Sequence, residues 1–305
     1  MSRQHSNYIM QTLILAFLFL FVPESRSNNA TISTNHQIEF GQPTKVEIKG
    51  YDGNIMEPFL SRDGRILLFN NLNSPPENTN LHWAIKINDT VFQYKGEIQG
   101  VNTIALEAVP TMDNAGNLYF VSTRDYQSTL STLYQSNFLN GIATNVQLIK
   151  GISHLQGGWV NFDVEVSADG QSLYFVDAQF DQTGKPKTAD LIIAVKNGSG
   201  FQRLSNSNEI MKNINTDDAL EYGVCISVNE LELYFTRVQL PLTLTTSPEI
   251  LVSTRQNKDE PFFNPSKIQS ITGFSEAPTI APDQKTLYYH KKVNNKFLLY
   301  MVRKK

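Results

Sequence analysis

A single cysteine, Cys225, in 305 residues excludes an internal disulfide and the paired thiolates of a zinc site. Gly-x-Ser-x-Gly, His-Glu-x-x-His and a phosphate-cradling glycine loop are all missing, which removes the common hydrolase, metalloprotease and nucleotide-binding signatures. The five histidines are scattered. No cofactor or metal is therefore expected. A net charge of −3 lacks the basic excess that nucleic acid or an anionic membrane surface requires of a main partner. Long hydrophobic runs are also scarce. The one exception, Leu13 to Val22, is ten residues, short of the roughly 20 that span a bilayer. It follows Arg3 and His5 and precedes Pro23, Ser25 and Ser27, the order of a secretory signal peptide. Residues 1–27 are therefore expected to be cleaved, leaving a secreted or periplasmic product without stable membrane insertion. Its net charge would be −4, since two arginines and one glutamate leave with the signal.

What is present is a repeat. Phe162-Asp163-Val164-Glu165-Val166-Ser167-Ala168-Asp169-Gly170-Gln171-Ser172-Leu173-Tyr174-Phe175 reads as a strand, a tight Asp-Gly turn and a second strand ending in an aromatic. Variants run from Glu57 to Phe69, Glu107 to Phe120, Glu221 to Phe235 and Glu276 to Tyr289. Their opening acids stand 50 to 58 residues apart, enough for four strands, and no helical periodicity separates them. The spacing predicts an all-β, five-bladed propeller over 37–305. The last copy stops one strand short, and Thr44 to Gly50 resembles a fourth strand. The N-terminal strand is thus expected to complete the last blade, which removes an open sheet edge.

Glu57-Pro58-Phe59-Leu60-Ser61-Arg62-Asp63-Gly64 and Pro278-Thr279-Ile280-Ala281-Pro282-Asp283-Gln284, each followed by an apolar strand, resemble the TolB-type, WD-repeat-like propeller repeat. That resemblance implies an exported protein, often a scaffold for other envelope proteins. TolB itself carries an additional N-terminal domain for which the sequence before Thr44 has no room, so its partners do not transfer.

First strands line a propeller's channel, which places Glu57, Glu107, Asp163, Glu221 and Glu276 near one mouth. Five acids there suit a ligand role, or else acceptance of backbone N–H groups at blade junctions. Counted back from Ser61, Thr111, Ser167, Ser227 and Ala281, they stand 4, 4, 4, 6 and 5 residues away, so only the first three are equivalent in that alignment. The loop 151–161 adds His154 and Trp159, and the loop 205–220 adds Asp217 and Asp218; long loops on a rigid ring are where recognition concentrates. Trp159 suits either a flat platform for a sugar or a wedge between blades. The expectation is a non-enzymatic module that binds an envelope or extracellular protein, or a glycan. Its alternative is a glycoside hydrolase using Asp163, Glu107 and Glu221 as its carboxylates.

Overall fold

The alternating pattern of each repeat becomes a pair of antiparallel strands, and five four-stranded sheets surround an axis in a computed structural model that describes residues 38–73 and 78–305. The expected signal segment lies outside the described residues. The innermost strands are Met56–Leu60, Glu107–Met112, Val164–Val166, Ala219–Ile226 and Ser275–Ile280. Each is followed outward by the strand that ends its repeat and by two more. Blade three adds the two-residue strand Trp159–Val160 to the inner edge of its second strand, and its second and third strands, Ser172–Phe180 and Pro186–Asn197, form a long hairpin. Two single-turn helices, Tyr126–Thr129 and Ser207–Ile210, sit in connecting loops.

The period of two in the second strands explains how the ring coheres. The terminal aromatics Phe69, Phe120, Phe175, Phe235 and Tyr289 are fully buried, and each packs into the core shared with the preceding blade. Their neighbours Leu68, Tyr119, Tyr174, Tyr234 and Tyr288 point to the opposite sheet face and enter the core shared with the following blade. Successive side chains alternate across a sheet, so one Tyr-Phe pair glues three blades together.

The chain's two ends meet as expected. Phe40 bridges Lys304, and Thr44–Lys45 pairs antiparallel with Tyr300 and Met301, completing blade five. The segment then does something the sequence did not suggest: Glu47–Lys49 runs parallel to Val91–Gln93 on the outer edge of blade one. Val46, between the two pairings, is 2% exposed and donates its N–H to the Leu299 carbonyl. The N-terminal strand therefore belongs to both blades at the seam.

Candidate functional site

Four innermost strands carry a bulge, at Glu57-Pro58, Val109-Pro110, Gly223-Val224 and Ala277-Pro278. The first residue of each has positive φ, between 45° and 60°. The bulge turns an amide toward the preceding blade, where a side chain receives it. Glu57 N–H donates to His290 Nδ1 at 3.1 Å, Val109 N–H to Asn70 Oδ1 at 3.1 Å, and Ala277 N–H to Thr236 Oγ1 at 3.0 Å. Gly223 N–H donates to the Asp163 carboxylate. Glycine is required there, because a Cβ at φ +60° would lie 2.6 Å from Thr236 Oγ1.

These bulges reset the alignment of the five acids. Hairpin closure pairs the amides of Ser61, Asp113, Ser167, Ser227 and Ala281 with carbonyls four or five residues ahead, so Asp113, not Thr111, is the counterpart of Ser61. Counted from it, Glu57 and Asp163 share one position, whose other occupants are Val109, Gly223 and Ala277. Glu107 and Glu221 share a different one, two residues earlier.

The difference in position is a difference in surroundings. Glu107 is fully buried and accepts from Thr103 N–H at 2.7 Å, Ser122 Oγ at 2.7 Å and Arg124 Nη2 at 3.1 Å. Glu221 is likewise buried and accepts from Thr216 and from Arg237 Nε at 2.8 Å; burial lifts its carboxyl to about 7 against the pull of that arginine. Arg124 and Arg237 also lie over the terminal aromatics Phe120 and Phe235. Both glutamates fasten a loop to a sheet, and neither faces open space. The trio of Asp163, Glu107 and Glu221 is thus not a constellation.

Glu57, Asp163 and Glu276, from blades one, three and five, line a single cavity of about 70 Å³ at the mouth, room for more than one water-sized group. Leu106, Val109, Val160, Phe162 and Phe180 supply its apolar wall. Glu276 accepts the Tyr222 hydroxyl and the His290 ring at 3.1 Å. Because His290 Nδ1 already accepts the Glu57 amide, the ring's proton sits on Nε2, facing Glu276. Glu276 is consequently held as an acceptor by two donors. Burial raises the Glu57 carboxyl, an effect opposed by His290 and reinforced by the charge of Glu276. Burial, then the charge of Glu57, pushes Asp163 well above the ordinary carboxylate range. Asn73 contributes a 3.3 Å hydrogen bond to Glu57.

A buried charge pair that the repeat pattern did not single out crosses the axis farther along the inner strands. Arg62 of blade one reaches across to Glu165 of blade three at 2.6 Å, both side chains 5% exposed. Thr111 Oγ1 donates to the other Glu165 oxygen at 2.7 Å. Glu165 lies two residues after Asp163, in the strand that Asp163 immediately precedes, an alternation that sequence could have offered.

The remaining candidates sit apart from the cavity. Trp159 is half-buried, its ring against His154 at 4.2 Å and its carbonyl accepting the Tyr126 hydroxyl. His154 is bonded to Asp177 at 3.0 Å, an aspartate already held by Arg203. Asp217 and Asp218 are exposed on their loop. Cys225 is buried, its sulfur accepting the Ile280 amide, and burial raises the thiol. Among the described residues no cluster suits a metal ion, and no helix is long and apolar enough to cross a membrane.

No protein-family model and no curated protein matches the sequence. Solved structures do match in fold. A glycoside hydrolase aligns with a TM-score of 0.59 at 10% identity, over 88% of this chain and 92% of its own. A mannose phosphorylase from Leishmania mexicana, in complex with phosphate ion, gives 0.54 at 9%, over 87% and 88%. The catalytic domain of a Coprinopsis cinerea GH62 α-L-arabinofuranosidase gives 0.52 at 12%, over 88% and 97%. TolB from Acinetobacter baumannii gives 0.43 at 11%, over 83% and 55%. The first three similarities bear on fold alone, and agree with the five-bladed propeller that the five sheets form. They also correct the expectation of a non-enzymatic binding or scaffold protein: three matching structures of similar length bear the names of carbohydrate-active enzymes, and the acids line a cavity, which favours the alternative reading.

Proposed function

We propose that the protein is an exported carbohydrate-active enzyme that cleaves a glycosidic bond at the axial cavity. The observation that carries this reading is the convergence of Glu57, Asp163 and Glu276, from three different blades, on one apolar-walled space. Glycoside cleavage needs a carboxylic acid to protonate the leaving oxygen and a carboxylate to act as base or nucleophile. Asp163, the more deeply buried and the more strongly raised, carries the proton and serves as the acid. Glu57, half-buried and open to the cavity, is the base or nucleophile. Glu276, fixed as an acceptor by Tyr222 and His290, lines the same cavity and reinforces the burial that raises Glu57. The apolar wall limits water and strengthens each of these electrostatic effects.

The Ser-x-Asp-Gly turns shared with TolB-type repeats are, in this reading, hairpin chemistry. Ser61, Ser167 and Ser227 each cap the turn by bonding Asp63, Asp169 and Asn229. They report on how blades are made and carry no implication of an envelope partner. The test is a panel of aryl glycosides and plant and fungal oligosaccharides assayed with the wild type, Glu57→Gln, Asp163→Asn and Glu276→Gln. Turnover by the wild type that falls by about 10²–10⁴-fold in the first two variants is the expected result. Turnover indifferent to both substitutions, or none across the panel, would overturn the assignment.

A further inference from the structure

A second concavity, of about 250 Å³, lies away from the axis where the outer strands of blade two meet blade three. Five of the eight residues in its wall are carboxamides, beside Tyr119, Ser136 and Lys196. Strand register sets Asn117 opposite Asn137 and Tyr119 opposite Gln135, with Gln147 opposite Gln135 on the far side. A period of two brings these side chains to one sheet face. A bulge between Thr144 and Gln147, with Asn145 at φ 56°, turns an additional amide into the row.

The amides are wired in one direction. Asn145 Nδ2 donates to Asn137 Oδ1 at 3.0 Å, Asn137 Nδ2 to Asn117 Oδ1 at 3.0 Å, and Asn117 Nδ2 to Asp113 Oδ2 at 2.7 Å. This chain orients three side chains and leaves the Asn145 oxygen with no donor among the described residues. Gln135 and Gln147 offer carboxamides that no other described residue engages. Across from them, Lys196 of blade three extends its ammonium over the Phe201 ring at 4.7 Å, with no carboxylate paired to it among the described residues. Tyr119, edge-on to Phe201, forms the floor.

The chemistry selects a ligand class. The lining is polar, which disfavours an apolar guest. A carboxamide presents an acceptor and two donors side by side, the complement of neighbouring sugar hydroxyls, each of which donates and accepts. One unpaired ammonium in an otherwise neutral wall adds a preference for a carboxylate. We infer that this groove binds an acidic oligosaccharide, a chain containing uronate residues, at a site separate from the axial cavity. Ordered amides hold the hydroxyls and Lys196 holds the carboxylate.

Trigalacturonic acid is the probe, titrated calorimetrically into the full chain, with neutral xylotriose as control and hydrogen exchange locating the contact. Binding of trigalacturonate at least tenfold tighter than xylotriose is expected, with protection over 117–119 and 133–148. Gln135→Ala with Gln147→Ala, and separately Lys196→Ala, should each weaken binding about tenfold or more. None of the three side chains is buried, and thermal melts confirm that the variants fold. Absence of binding, protection confined to the strands bearing Glu57, Asp163 and Glu276, or affinity unchanged in both variants overturns the inference. Because binding and not turnover is read, failure here is distinct from failure of the axial assignment.

Discussion

At the scale of single residues, the behaviour of the axial acids with pH follows from their burial. Asp163, pushed well above the ordinary carboxylate range, holds a proton in the folded protein that the unfolded chain releases near about 4. The folded state therefore binds more protons as pH rises past that range, and stability falls with rising pH until the raised carboxyl ionises. Asp163→Asn should flatten this slope in urea melts taken from pH 4 upward. The same substitution should remove the alkaline limb of kcat/KM, because activity is lost as the acid deprotonates. Sequence made three acids look equivalent where two are. Blade two's hairpin closes over four residues, Asp113 to Asn117, where the others take five. Asp113 also does with its carboxylate what serine and aspartate do together elsewhere. Nothing in the local pattern flags a turn one residue short, and a count from Thr111 sets Glu107 level with Glu57.

At the scale of elements, two kinds of buried charge hold the blades, and they separate by experiment. Glu107 with Arg124 and Glu221 with Arg237 tie a loop to the end of a second strand within one blade. Removing one partner, as in Arg124→Met, leaves a buried charge unpaired and should cost about 3–5 kcal/mol in chemical unfolding. The turnover of the remaining folded molecules should be unchanged, since Arg124 does not line the cavity. Arg62 and Glu165 instead join blades one and three across the axis. Arg62→Met should be destabilising by a similar roughly 3–5 kcal/mol, and Glu165→Gln in the same chain should recover part of it, a coupling measurable by a double-mutant cycle. That pair spans 103 residues. No motif reports a contact between charges so distant in sequence, so the pair is not legible from the repeat while the strands flanking it are.

At the scale of the whole molecule, the ring stands on alternation and on its seam. The alternation was readable, since every repeat ends in an aromatic preceded by a large side chain, and the pairs fill both neighbouring cores. Half of the seam was readable as well: a missing last strand called for one from the N-terminus. The parallel pairing of Glu47–Lys49 with blade one was not, because three residues alternating about a single buried Ile48 fit either neighbour. Val46→Asp places a charge where both pairings depend on a buried contact, and should abolish cooperative unfolding as followed by circular dichroism. Phe175→Ala, deep between blades two and three, should cost about 3–5 kcal/mol while leaving the seam intact.

The bond between Arg62 and Glu165 lies across the axis behind the acids. On the proposed reading, a molecule that enters past Glu57 and Asp163 meets that buried pair, so reactant and product would share one doorway and take turns. A cleaved sugar lingering there would exclude the next arrival and compete with it directly. Turnover would then be governed as much by departure as by bond breaking, and excess product would raise KM without lowering the maximal rate.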